Sequence, residues 1–261
     1  MAESLEQAYE LNQKKRNCII GGMLWLKMGN RMVPTAIDLS NLGLNTIEEN
    51  EEEFSIGCMT TLRQLEQHEG LNSYTNGAVS ESVRSIVGVQ FRNLATVGGS
   101  IFGRFGFSDV LTMFLALDTW VELYNGGTIP LAQFASVEKD NDILVNIIVK
   151  KTPLNTVYLS QRNNSTDFPV LTCAVAKREE GYVAAVGATP HLAENVWDKE
   201  GILTEINEES IEKFAAKAAE QIRFGSNMRA GAAYRRIVCQ VLVKRALHTI
   251  VAENNGEEEK C

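Results

Sequence analysis

The N-terminal part of the chain alternates short apolar runs with polar turns, which predicts a small α/β unit ending near residue 46. Ser4 and Gln7 have the spacing of a capping box, so a helix should begin at Leu5. The apolar runs Cys18–Ile20 and 36–39 are short enough to be strands.

The middle of the chain continues the alternation of strands and helices. The acidic run 48–53 reads as a solvated hairpin turn, followed by a strand at 54–58. Thr61 and Ser108 stand where helix caps are expected, and 143–149 is the most apolar strand of the sequence. The pattern predicts a second α/β part that extends to about residue 152.

The pattern of strands and helices changes after the segment Lys150-Lys151-Thr152-Pro153, which interrupts the apolar alternation, and we place a domain boundary there. Two antiparallel strands are predicted beyond it, at 170–176 and 182–186, followed by two amphipathic helices that begin near residues 211 and 234. The predicted division is a first domain in two parts (1–46 and 47–152), a smaller α+β domain (153–252), and a disordered acidic tail (253–261).

Composition narrows the function classes. The 261 residues carry 25 Lys plus Arg against 33 Asp plus Glu, a net charge of −8, which argues against nucleic acid as a partner. Five Cys and three His show no metal-ligand spacing, so no metal site is expected in this chain. No signal peptide and no apolar run of about 18 residues is present, so we expect a soluble, cytoplasmic protein without a membrane span.

Two Gly-Gly pairs, Gly21-Gly22 and Gly98-Gly99, each follow a predicted strand. Glycine permits close backbone approach, and successive free N–H groups form anion-binding concavities, so the two pairs together could grip a pyrophosphate without lysine. Ordinary tight turns are the alternative for each pair. Neither pair fits the G-x-G-x-x-G or the P-loop pattern.

A catalytic constellation is missing from the sequence. The three His residues are scattered, and no Ser/His/Asp or Cys/His arrangement can be assembled. We therefore expect no catalytic side chain and a bound cofactor that carries the chemistry. Asp109 could accept a hydrogen bond from a sugar or ribityl hydroxyl, or could stabilise the start of a helix; its spacing leaves both open.

Segment 91–101 with 107–109 (FRNLATVGGSI…FSD) resembles the second flavin loop of the molybdenum hydroxylases, which include xanthine dehydrogenases, carbon monoxide dehydrogenase and nicotinate dehydrogenase. Other segments are similar to further motifs of that family, in the same order along the chain: 19–26, 54–62, 142–145 and 226–236.

The resemblance implies an FAD-binding subunit that transfers electrons within an oxidoreductase complex. Its fold would be α+β, with a two-part α/β FAD-binding domain of the PCMH type followed by a smaller α+β domain with an antiparallel sheet and helices. It would bind FAD noncovalently and pass electrons from the [2Fe–2S] clusters of one partner subunit to NAD or another acceptor. Molybdopterin would lie in a second, catalytic partner subunit.

The resemblance also assigns site residues by position. Backbone of 21–24 and 97–100 would hold the pyrophosphate, Thr96, Ser100 and Asp109 would bond FAD oxygens, and Ile86 and Leu144 would lie against the isoalloxazine. The complete set of expected cofactor-binding residues is Ile19, Ile20, Gly21, Gly22, Met23, Leu24, Trp25, Ile86, Ala95, Thr96, Val97, Gly98, Gly99, Ser100, Gly103, Ser108, Asp109 and Leu144.

The first loop departs from the family pattern. Met23 and Leu24 stand where the family has a hydroxyl residue and an acid or amide. The side-chain hydrogen bonds of those residues are lost, so binding there must use the backbone. This departure supports an alternative function, a non-catalytic scaffold with a degenerate flavin site.

Overall fold

The N-terminal unit is built as its sequence pattern predicts. In the computed structural model, which describes residues 1–258, helix α1 (Leu5–Asn12) is followed by strands β1 (Cys18–Ile20) and β2 (Ala36–Asp38). The N-cap Ser4 accepts a hydrogen bond from the backbone of Gln7, and β1 pairs with β2 in parallel. A single turn of 3₁₀ helix at Leu26–Met28 lies between the two strands.

A five-stranded antiparallel sheet in the order β3-β4-β7-β5-β6 forms the second part. Its strands are β3 (Ile47–Glu49), β4 (Glu53–Gly57), β5 (Thr119–Leu123), β6 (Gly127–Pro130) and β7 (Leu144–Lys150). Seven short helices accompany it: α2 (Leu62–Gln67), α3 (Glu69–Tyr74), α4 (Ala78–Arg84), α5 (Val89–Arg92), α6 (Val97–Phe102), α7 (Asp109–Ala116) and α8 (Leu131–Ser136). The predicted caps of α2 and α7, Thr61 and Ser108, both accept backbone hydrogen bonds.

The C-terminal part is a four-stranded antiparallel sheet in the order β11-β10-β9-β8, packed against two helices. Its elements are β8 (Asn155–Arg162), β9 (Pro169–Arg178), β10 (Gly181–Gly187), β11 (Glu194–Trp197), α9 (Glu208–Gln221) and α10 (Ala232–Glu258). The mixed architecture confirms the predicted fold class.

Strand β9 joins two hydrophobic cores. Its residues 169–176 are all buried because both faces of the sheet are covered. Ala174 and Ala176 face the core shared with α7, whereas Cys173 and Val175 face α9 and α10. The C-terminal sheet is thereby fixed against the helix that begins at Asp109.

Three local predictions need correction. Gly98 and Gly99 do not form a turn after a strand: they lie inside α6, because Thr96 caps this helix by accepting a hydrogen bond from the Gly99 backbone at 3.1 Å. The spacing of Val83, Ile86 and Val87 predicts that all three lie on one helix, but Ile86 and Val87 lie beyond the end of α4, and Val87 has a positive φ of 51°.

The third correction concerns the C-terminus, where α10 continues to Glu258 instead of giving way to a disordered tail at residue 253. Leu247 and Ile250 are fully buried and anchor the helix, and extending an existing helix costs far less than nucleating one. Asn76 also donates to the Glu253 carboxylate at 3.4 Å. Residues 259–261 of the predicted tail lie outside the described residues.

Within residues 1–258, no helix is both long and apolar enough to span a membrane. Nor does the described part of the chain bring three or more His, Cys, Asp or Glu side chains together as a metal site.

Candidate functional site

A cleft of about 780 Å³ lies where the N-terminal unit, the five-stranded part and the C-terminal sheet meet. Of the cofactor-binding residues expected from the sequence, all but Val97 line it. Val97 is fully buried, and its backbone N–H donates to the Thr60 carbonyl at 2.8 Å. The two glycine-containing segments, distant in sequence, are brought to the same cleft.

The first glycine loop, residues 21–25, presents backbone donors. Within residues 1–258, the N–H groups of Gly22, Met23 and Leu24 have no hydrogen-bond acceptor in the chain. Met23 is in the left-handed region with a φ of 57°, a conformation that turns successive N–H groups toward one side. An anion in the cleft would satisfy these donors.

The glycines of this loop are needed for contact with the second segment. A Cβ on Gly22 would lie 1.9 Å from the Leu94 carbonyl oxygen, and one on Gly21 would lie 2.6 Å from Thr96 Oγ1. Both distances are far below van der Waals contact. The Gly21-Gly22 pair therefore allows the two loops to approach each other.

The second segment, at the start of α6, has its backbone N–H groups engaged within the chain. Gly98 donates to Cys58 O at 2.9 Å, Gly99 to Thr96 Oγ1 at 3.1 Å and Ser100 to Thr96 O at 3.1 Å. These N–H groups were expected to hold a pyrophosphate, but each of them already donates to an acceptor within the chain. A Cβ on Gly98 would meet Cys58 O at 2.5 Å, so this glycine too serves packing.

Gly99 differs from the other three glycines. It is exposed and lines the cleft, and a Cβ there would meet only the Thr96 hydroxyl, at 3.0 Å. A side chain added at Gly99 would thus project into the cleft, so this is the glycine that leaves space for a ligand.

Asp109 lies at the wall between the cleft and the C-terminal sheet. Its Oδ1 accepts a hydrogen bond from Tyr158 at 2.5 Å and a charged hydrogen bond from Arg162. Burial raises the pKa of Asp109, while Arg162 and the Tyr158 hydroxyl stabilise its carboxylate. Burial and the neighbouring carboxylate raise the pKa of Tyr158. The carboxylate oxygen that was expected to bond FAD is therefore bound to C-terminal side chains.

The hydroxyl groups near the cleft differ in how many hydrogen bonds they already form within the chain. Ser108 Oγ caps α7 and also donates to Ser100 O at 3.2 Å, and Ser100 Oγ donates to Thr96 O at 3.1 Å. Among the described residues Thr96 Oγ1 accepts from Gly99 and donates to no acceptor, so its proton is available to a ligand oxygen. Ile86 and Leu144 add apolar lining, as expected for a ring-binding surface.

Sequence reasoning missed several cleft residues. Lys15, Arg31 and Lys139 line the cleft, and within the described residues none of them forms an ion pair. Arg162 and Phe168 come from the C-terminal part, which the sequence did not place at the site. The sequence did carry one signal for these residues: Phe102, Phe105 and Phe107 are closely spaced, and all three line the cleft.

Comparison with known proteins places the chain in a class of flavoproteins. Residues 1–152 match the family described as the FAD binding domain in molybdopterin dehydrogenase, and residues 158–250 match the CO dehydrogenase flavoprotein C-terminal domain. The chain belongs to this family of FAD-binding oxidoreductase subunits.

Individual proteins are similar to the chain in sequence or in fold. An uncharacterized protein of Escherichia coli K12, YgfM, is 26% identical over 250 residues that cover 92% of this chain and 91% of that protein. The glyceraldehyde dehydrogenase medium chain of Sulfolobus acidocaldarius is 23% identical, with 95% and 96% of the two chains covered. A solved chain of carbon monoxide dehydrogenase from Hydrogenophaga pseudoflava has the same fold, with a TM-score of 0.86, 22% identity and 96% of each chain covered.

Proposed function

We propose that this chain is the FAD-binding electron-transfer subunit of a molybdenum hydroxylase complex. It would receive electrons from [2Fe–2S] clusters of one partner subunit and pass them through FAD to NAD or another acceptor, while a second partner would carry molybdopterin. The observation that carries the proposal is the cleft in which the unpartnered N–H groups of the first loop lie beside the exposed Gly99.

The residues present fit FAD. The pyrophosphate needs donors, and Gly22, Met23 and Leu24 offer three backbone N–H groups. Thr96 can donate its hydroxyl proton to a cofactor oxygen, and Ile86 and Leu144 provide an apolar surface for a planar ring. These are our proposed contacts; the N–H groups of 97–100 are not among them because they already have acceptors.

The flavin, when bound, supplies the electron-transfer chemistry, and the chain's own residues bind, orient and shield it. The first loop would bind the phosphates. Its close contacts with Leu94 and Thr96 would hold the loop in position. Arg162 would hold the C-terminal sheet against the flavin-binding part through Asp109. In this proposal residues 1–152 form the FAD-binding domain and 153–252 close one side of the cleft.

A direct test is to purify the full chain, add FAD and remove the excess by gel filtration. We expect a yellow protein whose flavin is released by denaturation, which shows noncovalent binding. A folded chain that takes up no FAD, alone or with the two partner subunits, would contradict the proposal.

A non-catalytic scaffold remains the second candidate. Met23 and Leu24 favour it, because they provide no side-chain hydrogen bond, and so does the engagement of the N–H groups at 98–100. The same experiment separates the two functions, since a scaffold would assemble with the partner subunits and contain no flavin.

A further inference from the structure

Helix α10 is apolar on two opposite sides in its first half. In the segment 237–243 (IVCQVLV), Gln240 is the only polar residue. One side of this segment packs into the C-terminal core through buried side chains: Val238, Cys239, Leu242 and Val243. The opposite side is exposed to solvent. Because a helix that is apolar all round is normally covered all round, this exposed side has the composition of a covered surface.

Three large apolar side chains form the exposed side: Tyr234, Ile237 and Val241, which are 50%, 61% and 38% exposed. We call these three residues the apolar stripe. Their spacing of three and four residues places them in line on one helix face, over about 10 Å of the helix axis. The next position on that face is Arg245, which is exposed and charged, so the stripe ends there. Adjoining exposed apolar side chains of this kind mark interaction surfaces.

The charged residues that flank the stripe are arginines. Arg236 and Arg245 lie on α10, and Arg223 follows the end of α9; all three are exposed, and none forms an ion pair with a described residue. From residue 222 to residue 252 the sequence contains six Lys and Arg but no Asp or Glu, although the whole chain has a net charge of −8. The stripe therefore lies in a locally cationic segment of an acidic chain.

The acidic residues of α9 that contact α10 leave these arginine charges unneutralised. Glu212 is bonded to Lys244 at 2.8 Å, and Glu208 lies 3.3 Å from His248. Both carboxylates thus already have partners on α10, so carboxylates that pair with the flanking arginines would have to come from another molecule.

The charges also select the kind of molecule. A second copy of the chain, packed on the same face by a two-fold axis, would bring the arginines of both copies together, which is unfavourable. A lipid surface is bound in proportion to the apolar area inserted, and three side chains insert little. Tyrosine and arginine are enriched in protein–protein interfaces. We infer that the apolar stripe is the docking surface of a partner protein that presents an apolar centre surrounded by carboxylates.

The stripe lies apart from the flavin cleft, since the described residues that line the cleft include none from α10. A partner held on the stripe therefore need not contact the flavin, and its binding should leave the FAD affinity unchanged. The inference rests on the proposed function for the source of the partner, which we take to be one of the two partner subunits. It adds the surface that holds this subunit and the chemistry of the subunit's own surface.

The test measures the binding of each purified partner subunit to the immobilised full chain by biolayer interferometry, at low and at high NaCl concentration. FAD uptake is measured separately on every variant. Ile237→Asp and Ile237→Lys remove the same apolar side chain and introduce opposite charges. Arg245→Glu reverses one flanking charge. Lys199→Glu is its control, because Lys199 is an exposed cation that follows β11 rather than lying on α10.

We expect one subunit to bind the unmodified chain, and to bind it more weakly at high salt, because opposite charges are screened. Ile237→Asp should weaken this binding at least about tenfold, since it removes a central apolar contact and repels carboxylates. Ile237→Lys should weaken it by only about threefold, and Arg245→Glu by about threefold with a smaller salt dependence. Lys199→Glu should bind as the unmodified chain does. All variants should take up FAD equally, because these positions are exposed and lie outside the cleft.

Other results would overturn the inference. Equal weakening by Ile237→Asp and Ile237→Lys excludes an acidic partner, and binding of the subunits that no stripe variant changes excludes this docking surface. Self-association of the chain that Ile237→Asp abolishes, or binding of the chain to phosphatidylglycerol vesicles through the stripe, assigns the surface to a different occupant.

The same measurements separate this inference from the proposed function. A chain that takes up FAD and assembles with its partner subunits independently of the stripe retains the proposed function and loses the inference. A chain that takes up no FAD, even in the complex, but binds an acidic subunit through the stripe loses the proposed function and retains the docking surface.

Discussion

Gly22 lies against the carbonyl group of Leu94 so closely that a Cβ at position 22 would be 1.9 Å from that oxygen. This contact attaches the first glycine loop to the segment preceding α6, and the loop residues whose N–H groups have no acceptor among the described residues line the cleft there. The geometry of the proposed phosphate site therefore depends on a backbone-to-backbone contact, which no side-chain adjustment can relieve.

The first prediction concerns Gly22→Ala. Because the Leu94 backbone must shift, we expect a loss of about 1–3 kcal/mol in the free energy of unfolding and a large loss of FAD affinity. Urea unfolding and FAD titration measure the two effects. Gly29→Ala is the matched control in the same connection, since its Cβ would meet only Leu26 O at 3.7 Å. Equal FAD affinity in Gly22→Ala and Gly29→Ala would show that the loop contact does not position the site.

The second prediction concerns Gly99, where a side chain can be built. Gly99→Asp should abolish FAD uptake, because it places a carboxylate in the cleft that we assign to a pyrophosphate. Gly99→Asn has nearly the same size without the charge and should retain measurable binding. Thermal unfolding should be similar for both variants. If Gly99→Asp binds FAD as tightly as the unmodified chain, the assignment of this part of the cleft is wrong.

The third prediction concerns the buried pair of Arg162 and Asp109, whose side chains are 7% and 5% exposed. Arg162→Met leaves the carboxylate without its cation, so we expect a loss of about 3–5 kcal/mol in the free energy of unfolding at neutral pH. Asp109→Asn combined with Arg162→Met should recover much of that loss. Arg84→Ala, which breaks an exposed pair with Glu81, should cost less than about 1 kcal/mol.

The same pair gives the expected pH dependence. Burial raises the pKa of Asp109 in the folded protein above its ordinary value of 3.8, so the folded state holds this proton more tightly than the unfolded state. The stability contribution of that proton is complete below the unfolded pKa and is lost as the pH rises through the folded pKa. Removing Arg162 raises the folded pKa further. The stability difference between Arg162→Met and the unmodified chain should therefore be small in acid and grow toward neutral pH; a pH-independent difference would exclude Asp109 as its cause.

Local signals predicted the elements well, because caps and alternation act over a few residues. Ser4, Thr61 and Ser108 cap the helices that their spacing predicted, and the acidic run at 48–53 spans the expected hairpin between β3 and β4. Family resemblance then brought the two glycine segments to one site. The caps and the hairpin could be predicted because they depend on residues close in sequence, and the shared site could be predicted because the resemblance covers complete motifs.

The roles of individual glycines could not be predicted in this way. Gly98 and Gly99 are adjacent, yet only Gly98 packs on the backbone of Cys58 while Gly99 faces the cleft. That difference depends on which strand lies behind α6, a long-range contact with no local signal. Phe168 and Arg162 were missed for the same reason, since β8 and β9 reach the cleft only in the folded chain.

The last prediction uses cysteine reactivity to locate the ligand. Burial raises the pKa of the Cys58 and Cys239 thiols to about 12, and that of Cys173 well above its ordinary value, so these thiols stay protonated and shielded at neutral pH. Cys18 is only half-buried and lines the cleft beside the first loop. In a Cys261→Ser background, iodoacetamide should therefore modify Cys18 first, and saturating FAD should slow this modification several-fold. Peptide mass mapping identifies the alkylated residue.

Riboflavin, which lacks the phosphates, should protect less than FAD at equal concentration, because the first-loop N–H groups would have no anion to bind. If FAD binds and Cys18 is alkylated at the same rate as in the free protein, the cofactor lies elsewhere than beside residues 21–25.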